Sequence, residues 1–312
     1  MSDIQNVTII GSGPAGYTAA IYAARSGLSP LLLTGLEPGG QLMITNDVEN
    51  FPGFEKPVEG PWLMDQMKKQ AQSVGTIIDY DRVTNLVLKK YPYEAHTEKG
   101  RIIKTYSIII STGAKAKWLG IPGEEKFTGF GVSACATCDG FFYKNRNVAV
   151  IGGGNTALEE AIFLSNICKK VTIIHRRDKF RAEKILQDRL FKKKNIEVIW
   201  NSNVIAIDGE DSPKILKKIK VLREKKESYI ELDGLFVAIG HSPATEIFRD
   251  LLPMDSEGYI FTENNSTKTK VKGVFAAGDV TDKIYRQAVT AAGMGCMSAI
   301  EAENYLNEIN VI

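Results

Sequence analysis

Cys135-Ala136-Thr137-Cys138-Asp139 is the segment best equipped for chemistry. A C-x-x-C pair closes a small disulfide and can cycle between dithiol and disulfide. The adjoining carboxylate of Asp139 is within reach to move protons during that exchange. Two other uses of such a pair stay open. One is half a zinc site, which needs two more ligands, and the chain has no second C-x-x-C and no paired histidines at zinc spacing. The other is a pair of inert buried thiols. Cys168 ends one helical pattern and Cys296 lies in another that is rich in small residues, positions typical of ordinary core cysteines.

Two glycine loops suggest nucleotide chemistry. Gly11-Ser12-Gly13-Pro14-Ala15-Gly16 follows a β-branched run and opens an Ala-rich helical pattern. Gly11 permits the tight turn, Gly13 lets main chain approach a pyrophosphate, and Gly16 lets helix pack on strand. The helix N-terminus adds free N–H groups and partial positive charge. Gly152-Gly153-Gly154-Asn155-Thr156-Ala157 is the G-x-G-x-x-A variant in the same setting. The strand after it ends in His175-Arg176-Arg177, with Arg181 one turn further on. An NAD site wants a carboxylate at that strand end to bond the ribose 2′-OH. Arginines there suit a 2′-phosphate, so the second loop is expected to take NADPH, with His175 as a further phosphate contact. The bland alternative is a solvated basic turn.

Reduced nicotinamide needs a hydride acceptor, and FAD is the dinucleotide that ordinarily serves, so the first loop is expected to hold FAD. Gly278-Asp279 can end a strand and offer a carboxylate to a ribityl hydroxyl. The helix opening near Arg286-Gln287-Ala288 can aim its positive end at the flavin ring. Glu37 lies just beyond the strand that ends at Thr34 and is the one nearby acid for the ribose.

The elements that must position these residues come in two copies. Val7 to Gly16 parallels Val148 to Ala157, and Ile108 to Gly113 parallels Leu235 to Gly240. Two βαβ units of one design predict an α/β chain with two Rossmann-like, three-layer nucleotide-binding domains. The tail from Gly273 has no sheet of its own to join. The NADPH domain is therefore expected as an insertion in the FAD domain: 1–116 and 245–312 for FAD, 117–244 for NADPH and the cysteines. Arg82 to Leu88, Tyr93 to Thr97 and Arg101 to Tyr106 read as short strands, Trp62 to Val74 and Ala288 to Leu306 as helices.

Composition narrows the class. The chain has 312 residues, enough for two domains, and 39 Lys plus Arg against 37 Asp plus Glu give a net charge of +2. That balance argues against a nucleic-acid partner. The basic runs Lys192 to Lys194 and Lys214 to Lys226 read as solvated surface. No apolar run approaches the roughly 18 residues of a membrane span, and the polar N-terminus does not read as a signal peptide, so a cytoplasmic protein is expected. Phe141-Phe142 suits either a docking patch or the core.

NADPH, a flavin and a redox cysteine pair on one chain make a disulfide reductase. The chain resembles the low-molecular-weight, bacterial-type thioredoxin reductases over essentially its whole length. Seven blocks carry the resemblance, in order: Gly11 to Gly16; Gly39-Gly40-Gln41-Leu42; Val48 to Gly53 with Asn50; Cys135 to Gly140; Gly152 to Ala157; His175 to Arg181; and Gly278-Asp279 with Arg286-Gln287-Ala288. It implies that Gly40, Gln41, Leu42, Asn50 and Gly113 lie in the FAD site. It implies a homodimer and oxidised thioredoxin as substrate, with Cys138 on the flavin side, Cys135 as the outer thiol and Asp139 handling the proton. Two rivals remain: a reductase of another dithiol protein, and a nucleotide-binding redox sensor without turnover. Because the inserted domain would carry both NADPH and the cysteines, it is expected to rotate about linkers at Lys115 to Pro122 and Gly240 to Thr245.

Overall fold

The computed structural model describes residues 4–45 and 47–312. The chain enters through strand β1 (Ile4–Ile10), helix α1 (Pro14–Arg25), β2 (Leu31–Leu33), α2 (Gly60–Ser73), β3 (Ile77–Asp79), β4 (Val83–Val87), β5 (Tyr93–Thr97), β6 (Ile102–Ile110) and β7 (Ala114–Ala116). It continues through α3 (Glu124–Phe127), β8 (Val132–Ser133), α4 (Ala136–Asp139), β9 (Asn147–Ile151), α5 (Asn155–Ser165), β10 (Lys170–Ile174), α6 (Lys184–Phe191) and β11 (Ile196–Ile199). Then come β12 (Ser202–Asp211), β13 (Lys214–Arg223), β14 (Lys226–Glu231), β15 (Gly234–Val237), β16 (His241–Pro243), β17 (Val274–Ala276) and α7 (Ala288–Glu308). Two compact units result, residues 1–115 with 242–312 and residues 116–241.

The first unit is built on a seven-stranded sheet in the order β3-β2-β1-β6-β5-β4, with β17 also pairing β6. The tail thus joins this sheet, as its lack of a sheet of its own predicts. β6 is one strand where the sequence reads as two, Arg101 to Tyr106 and a buried run from Ile108. On one edge β1 pairs parallel with it from Lys104 to Ile110; on the other edge β5 pairs antiparallel with its first half and β17 parallel with its second. The polar-to-apolar change along it reflects that switch of neighbours. One sheet face buries Val7, Ile9, Ile109 and Phe275 under α1, α2 and α7; the other buries Ile10, Ile108, Ile110 and Phe248.

In the second unit β11-β10-β9-β15-β8 form a parallel five-stranded sheet. Ala157, Leu158, Ala161 and Leu164 of α5 cover one face. The antiparallel meander β12-β13-β14 covers the other, through Ile207, Leu216, Ile219 and Val221. Lys214 to Lys226 is therefore the middle strand of the meander and the turn that leaves it, with Leu216, Ile219 and Val221 turned onto the sheet and its lysines outward.

Asp81, just before β4, braces the edge of the first unit. Main-chain N–H groups of Thr34 and Gly35 donate to the carbonyls of Asp79 and Asp81 at 3.0 Å each, tying this corner to the first glycine loop's neighbour strand. The Asp81 side chain is 1% exposed and pairs with Arg101 at 2.7 Å. Burial alone would raise its carboxyl, but donors from Arg101, Thr97 and the main chain of Arg82 and Lys99 hold it well below the usual range. A depressed folded value stabilises the fold above the unfolded carboxylate value of about 4 and is lost as pH falls through the folded one. Asp81→Asn should therefore lower the Tm most at pH 7, and by steadily less as the pH is taken from about 4 down through the folded value, with part of the effect still present at pH 3. An equal drop at both pH values would refute this role.

Candidate functional site

The two glycine loops are built alike, atom for atom in places. Gly11 has φ +107°, and a Cβ there would stand 2.3 Å from the carbonyl oxygen of Ser111. At Gly152 the matching clash, 2.4 Å, is with the carbonyl oxygen of Ala238. Ser111 and Ala238 are equivalent positions of the sequence repeat. Gly16 lies so close to the turn that a Cβ would meet the Gly11 carbonyl oxygen at 2.0 Å. Gly13 and Gly154 differ from all of these. Each is the extended residue before a helix, α1 or α5, and a Cβ on either would have nothing within 4 Å. Their freedom is toward open space at a helix N-terminus, where a pyrophosphate would lie. That arrangement fits a dinucleotide on each unit.

In the first unit, segments far apart in sequence converge on this loop. The Ser12 hydroxyl donates to the Thr34 carbonyl at 3.1 Å and accepts from the Gly39 N–H at 3.1 Å. Ser111 Oγ binds the carbonyls of Ile10 and Gly11. Gly40 approaches Gly13, and Gln41 and Leu42 follow it in a short 3₁₀ turn. From the tail, Gly278 packs on Ala15 and Ala291, and Gly295 lets α7 touch the main chain of Ala15. Gln287 caps α7 reciprocally with Thr290 and accepts a hydrogen bond from Asn50 Nδ2 at 3.2 Å. Arg286 has φ +47°; the Asp282 carboxylate holds the turn before it through the N–H groups of Ile284, Tyr285 and Arg286. Burial pushes the Asp279 carboxyl up to about 7; Asp282 adds to this and Arg286 opposes it. A carboxyl so poorly compensated suits a ligand that brings hydroxyl donors. Gly113 has φ +70° and its carbonyl accepts from the Ala244 N–H. Glu37 is exposed and pairs with Lys115 at 2.7 Å.

In the second unit, Arg176, Arg177 and Arg181 are exposed, and among the described residues no carboxylate lies within ion-pair distance of them. Three unpaired guanidinium groups beside the open end of α5 fit a phosphate. Thr156 follows Asn155 in the first turn of α5. His175 is placed differently from its arginine neighbours: it is 5% exposed and its Nε2 lies 3.0 Å from the Lys179 carbonyl.

Cys135 and Cys138 are joined as a disulfide with Cα atoms 5.3 Å apart. Cys135 is the N-cap of the one-turn helix α4, which follows β8, and Cys138 lies within that helix. Ser133 Oγ accepts the Cys135 N–H at 3.0 Å, and the Asp139 N–H donates to the Cys135 carbonyl at 3.1 Å. Thr137 Oγ1 lies 3.4 Å from Cys135 Sγ. Ala136 is fully buried against α5, and a Cβ at Gly140 would meet Leu164 and Phe163 of that helix. The redox turn thus rests on the helix that leaves the second glycine loop. Burial, with Asp139 adding, pushes the Tyr143 hydroxyl behind this turn up to about 12. Both cysteines are half-buried, and Phe141 and Phe142 are 59% and 38% exposed, on the surface beside them. Cys168 is buried at 6%. Among the described residues no group of three or more His, Cys, Asp or Glu could hold a metal, and no helix is long and apolar enough to cross a membrane.

Ser111, Asp282 and Gly153 were not singled out by sequence. Ser111 and Gly153 carry a signal, the repeat and the middle place in a run of three glycines; Asp282 carries none.

A two-loop α/β chain with a C-x-x-C disulfide defines a nucleotide-dependent disulfide oxidoreductase. Residues 5–295 match the family described as pyridine nucleotide-disulphide oxidoreductase. Thioredoxin reductase of Rickettsia conorii is 58% identical over 304 residues, 97% of this chain and 98% of the relative. That of Coxiella burnetii is 49% identical, over 98% and 97%. The crystal structure of thioredoxin reductase from Streptococcus pyogenes superposes with a TM-score of 0.93 at 39% identity, covering 99% and 100%. Within the pyridine nucleotide-disulphide oxidoreductases, the chain belongs to the thioredoxin reductase family.

Proposed function

We propose that this enzyme uses NADPH, through FAD, to reduce the disulfide of oxidised thioredoxin. The observation that carries the reading is the Cys135–Cys138 disulfide seated on α5, the helix that begins at a dinucleotide loop. FAD belongs to the first unit: Gly11 to Gly16 and the N-terminus of α1 for its pyrophosphate, Asp279 for a ribityl hydroxyl, Arg286 to Ala288 and the N-terminus of α7 for its ring. NADPH belongs to the second: Gly152 to Ala157 for the pyrophosphate, Arg176, Arg177 and Arg181 for the 2′-phosphate. Bound there, the two cofactors carry an electron pair from nicotinamide to the protein disulfide.

The remaining steps are the protein's own. Reduction opens the disulfide to two thiols, and Asp139 moves the proton at Cys138. The Cys135 thiolate attacks one sulfur of thioredoxin's disulfide, giving a mixed disulfide and releasing the other as a thiol. Cys138 then attacks Cys135 Sγ, re-forming the Cys135–Cys138 disulfide and releasing the second thioredoxin thiol. The reading includes a homodimer in the cytoplasm and rotation of the second unit between the two halves of the cycle. The chain passes between the two units near Lys115 and His241, the two linkers such a rotation would turn about.

The test is optical. Purified protein should be yellow, bleach when NADPH is added without oxygen, and recolour on addition of oxidised thioredoxin. A colourless protein, or one that NADPH does not bleach, would sink the cofactor assignment. Bleaching without recolouring by thioredoxin would sink the substrate.

A further inference from the structure

Gly153 is the middle of the three glycines that open the second loop, and its backbone is not left-handed. Packing demands the glycine instead. A Cβ there would stand 2.2 Å from Cε1 of His175 and 2.4 Å from its Nδ1. The His175 ring lies against the loop and packs on two aromatic rings, 5.5 Å from Phe180 and 6.0 Å from Trp200. Its Nε2 faces the Lys179 carbonyl, inside its own turn. Burial, opposed by the carbonyls of Lys179 and Gly152 and aided by Arg181 and Arg176, depresses its basicity. Around the ring, the turn is laced to the loop: Arg181 N–H donates to the Gly153 carbonyl at 2.8 Å, and Glu183 N–H to Asn155 Oδ1 at 2.9 Å.

We propose that His175 is a positioning residue and not a phosphate ligand. Its ring, matched to the missing side chain of Gly153, sets the spacing between the pyrophosphate loop and the arginine turn. The proposal rests on the reading that the second unit binds NADPH. A ligand that touches both places, with phosphates at each, depends on that spacing; one that touches the loop alone does not. The pair is therefore a determinant of NADPH over NADH that makes no contact with the distinguishing phosphate.

The experiment compares wild type, Gly153→Ala, His175→Ala and the double variant as FAD-loaded holoenzymes. Calorimetry measures binding of 2′,5′-ADP, and kinetics give the ratio of kcat/KM for NADPH and NADH. Each single variant should weaken 2′,5′-ADP and lower the ratio by about tenfold. The double, in which the new methyl enters the space the ring left, should return to within about threefold of wild type, a coupling typical of residues in contact. Failure of wild type to bind 2′,5′-ADP would instead remove the NADPH reading itself. If wild type binds and the two losses multiply in the double, or the ratio stays fixed in both singles, the pair does not set the spacing. Should Gly153→Ala not fold, its recovery as a yellow protein in the His175→Ala background is the same coupling read in yield. Failure in both backgrounds overturns the proposal.

Discussion

Cys138→Ser protein, reduced and mixed with oxidised thioredoxin, is expected to hold it in a lasting mixed disulfide through Cys135. A thiolate that attacks a disulfide forms a mixed disulfide, and a neighbouring thiol must resolve it. In a C-x-x-C turn the resolving thiol is the partner, here held with a Cα–Cα distance of 5.3 Å. Serine cannot resolve, so the adduct persists. Cys135→Ser removes the attacking group and should form no adduct. Both variants should lose steady-state turnover by roughly a thousandfold or more, since groups that act as a unit fail as a unit. Neither should unfold, because both side chains are half-buried and the turn is held by Ser133, Ala136 and Gly140. Mass spectrometry of the unreduced mixture identifies the adduct. An adduct with Cys135→Ser in place of Cys138→Ser would reverse the two roles, and an adduct with neither would remove the cysteines from the path to thioredoxin.

Strand, glycine loop and helix were legible twice because one physical requirement recurs: a tight turn, an open approach and a close packing, at fixed spacing. Even the equivalence of Ser111 and Ala238 follows from the repeat. Other features depend on neighbours that are remote in sequence. β6 reads as two strands because its pairing changes along its length. The meander hides because its outward lysines look like simple surface, while its inward Leu216 and Ile219 close the second core. Asn50 meets Gln287 across most of the chain, a contact no local pattern encodes. His175 shares a motif with three arginines, and only the packed ring under Gly153 reveals that it points the other way.

Replacing Arg176 and Arg177 together by alanine is expected to convert a strong preference for NADPH into a weak one. Both side chains are exposed at the end of β10, on the turn that Arg181 N–H fastens to Gly153. With no carboxylate within ion-pair reach among the described residues, their charge is available to a ligand. A guanidinium holds a phosphate by charge-assisted, often bidentate bonds, each worth more than a neutral hydrogen bond. Losing two should lower kcat/KM for NADPH by roughly a hundredfold, with Arg181 left to supply what remains. NADH lacks the 2′-phosphate, so its kcat/KM should change by less than about threefold. The Lys pair separates charge from geometry: Arg176→Lys with Arg177→Lys keeps both positive charges but not the planar fork, and should fall between wild type and the alanine protein. Added salt should erode the wild-type preference more than that of the alanine protein, because partly exposed charges are screened. An unchanged NADPH-to-NADH ratio in the alanine protein would leave the arginine turn as solvated surface and move the 2′-phosphate elsewhere.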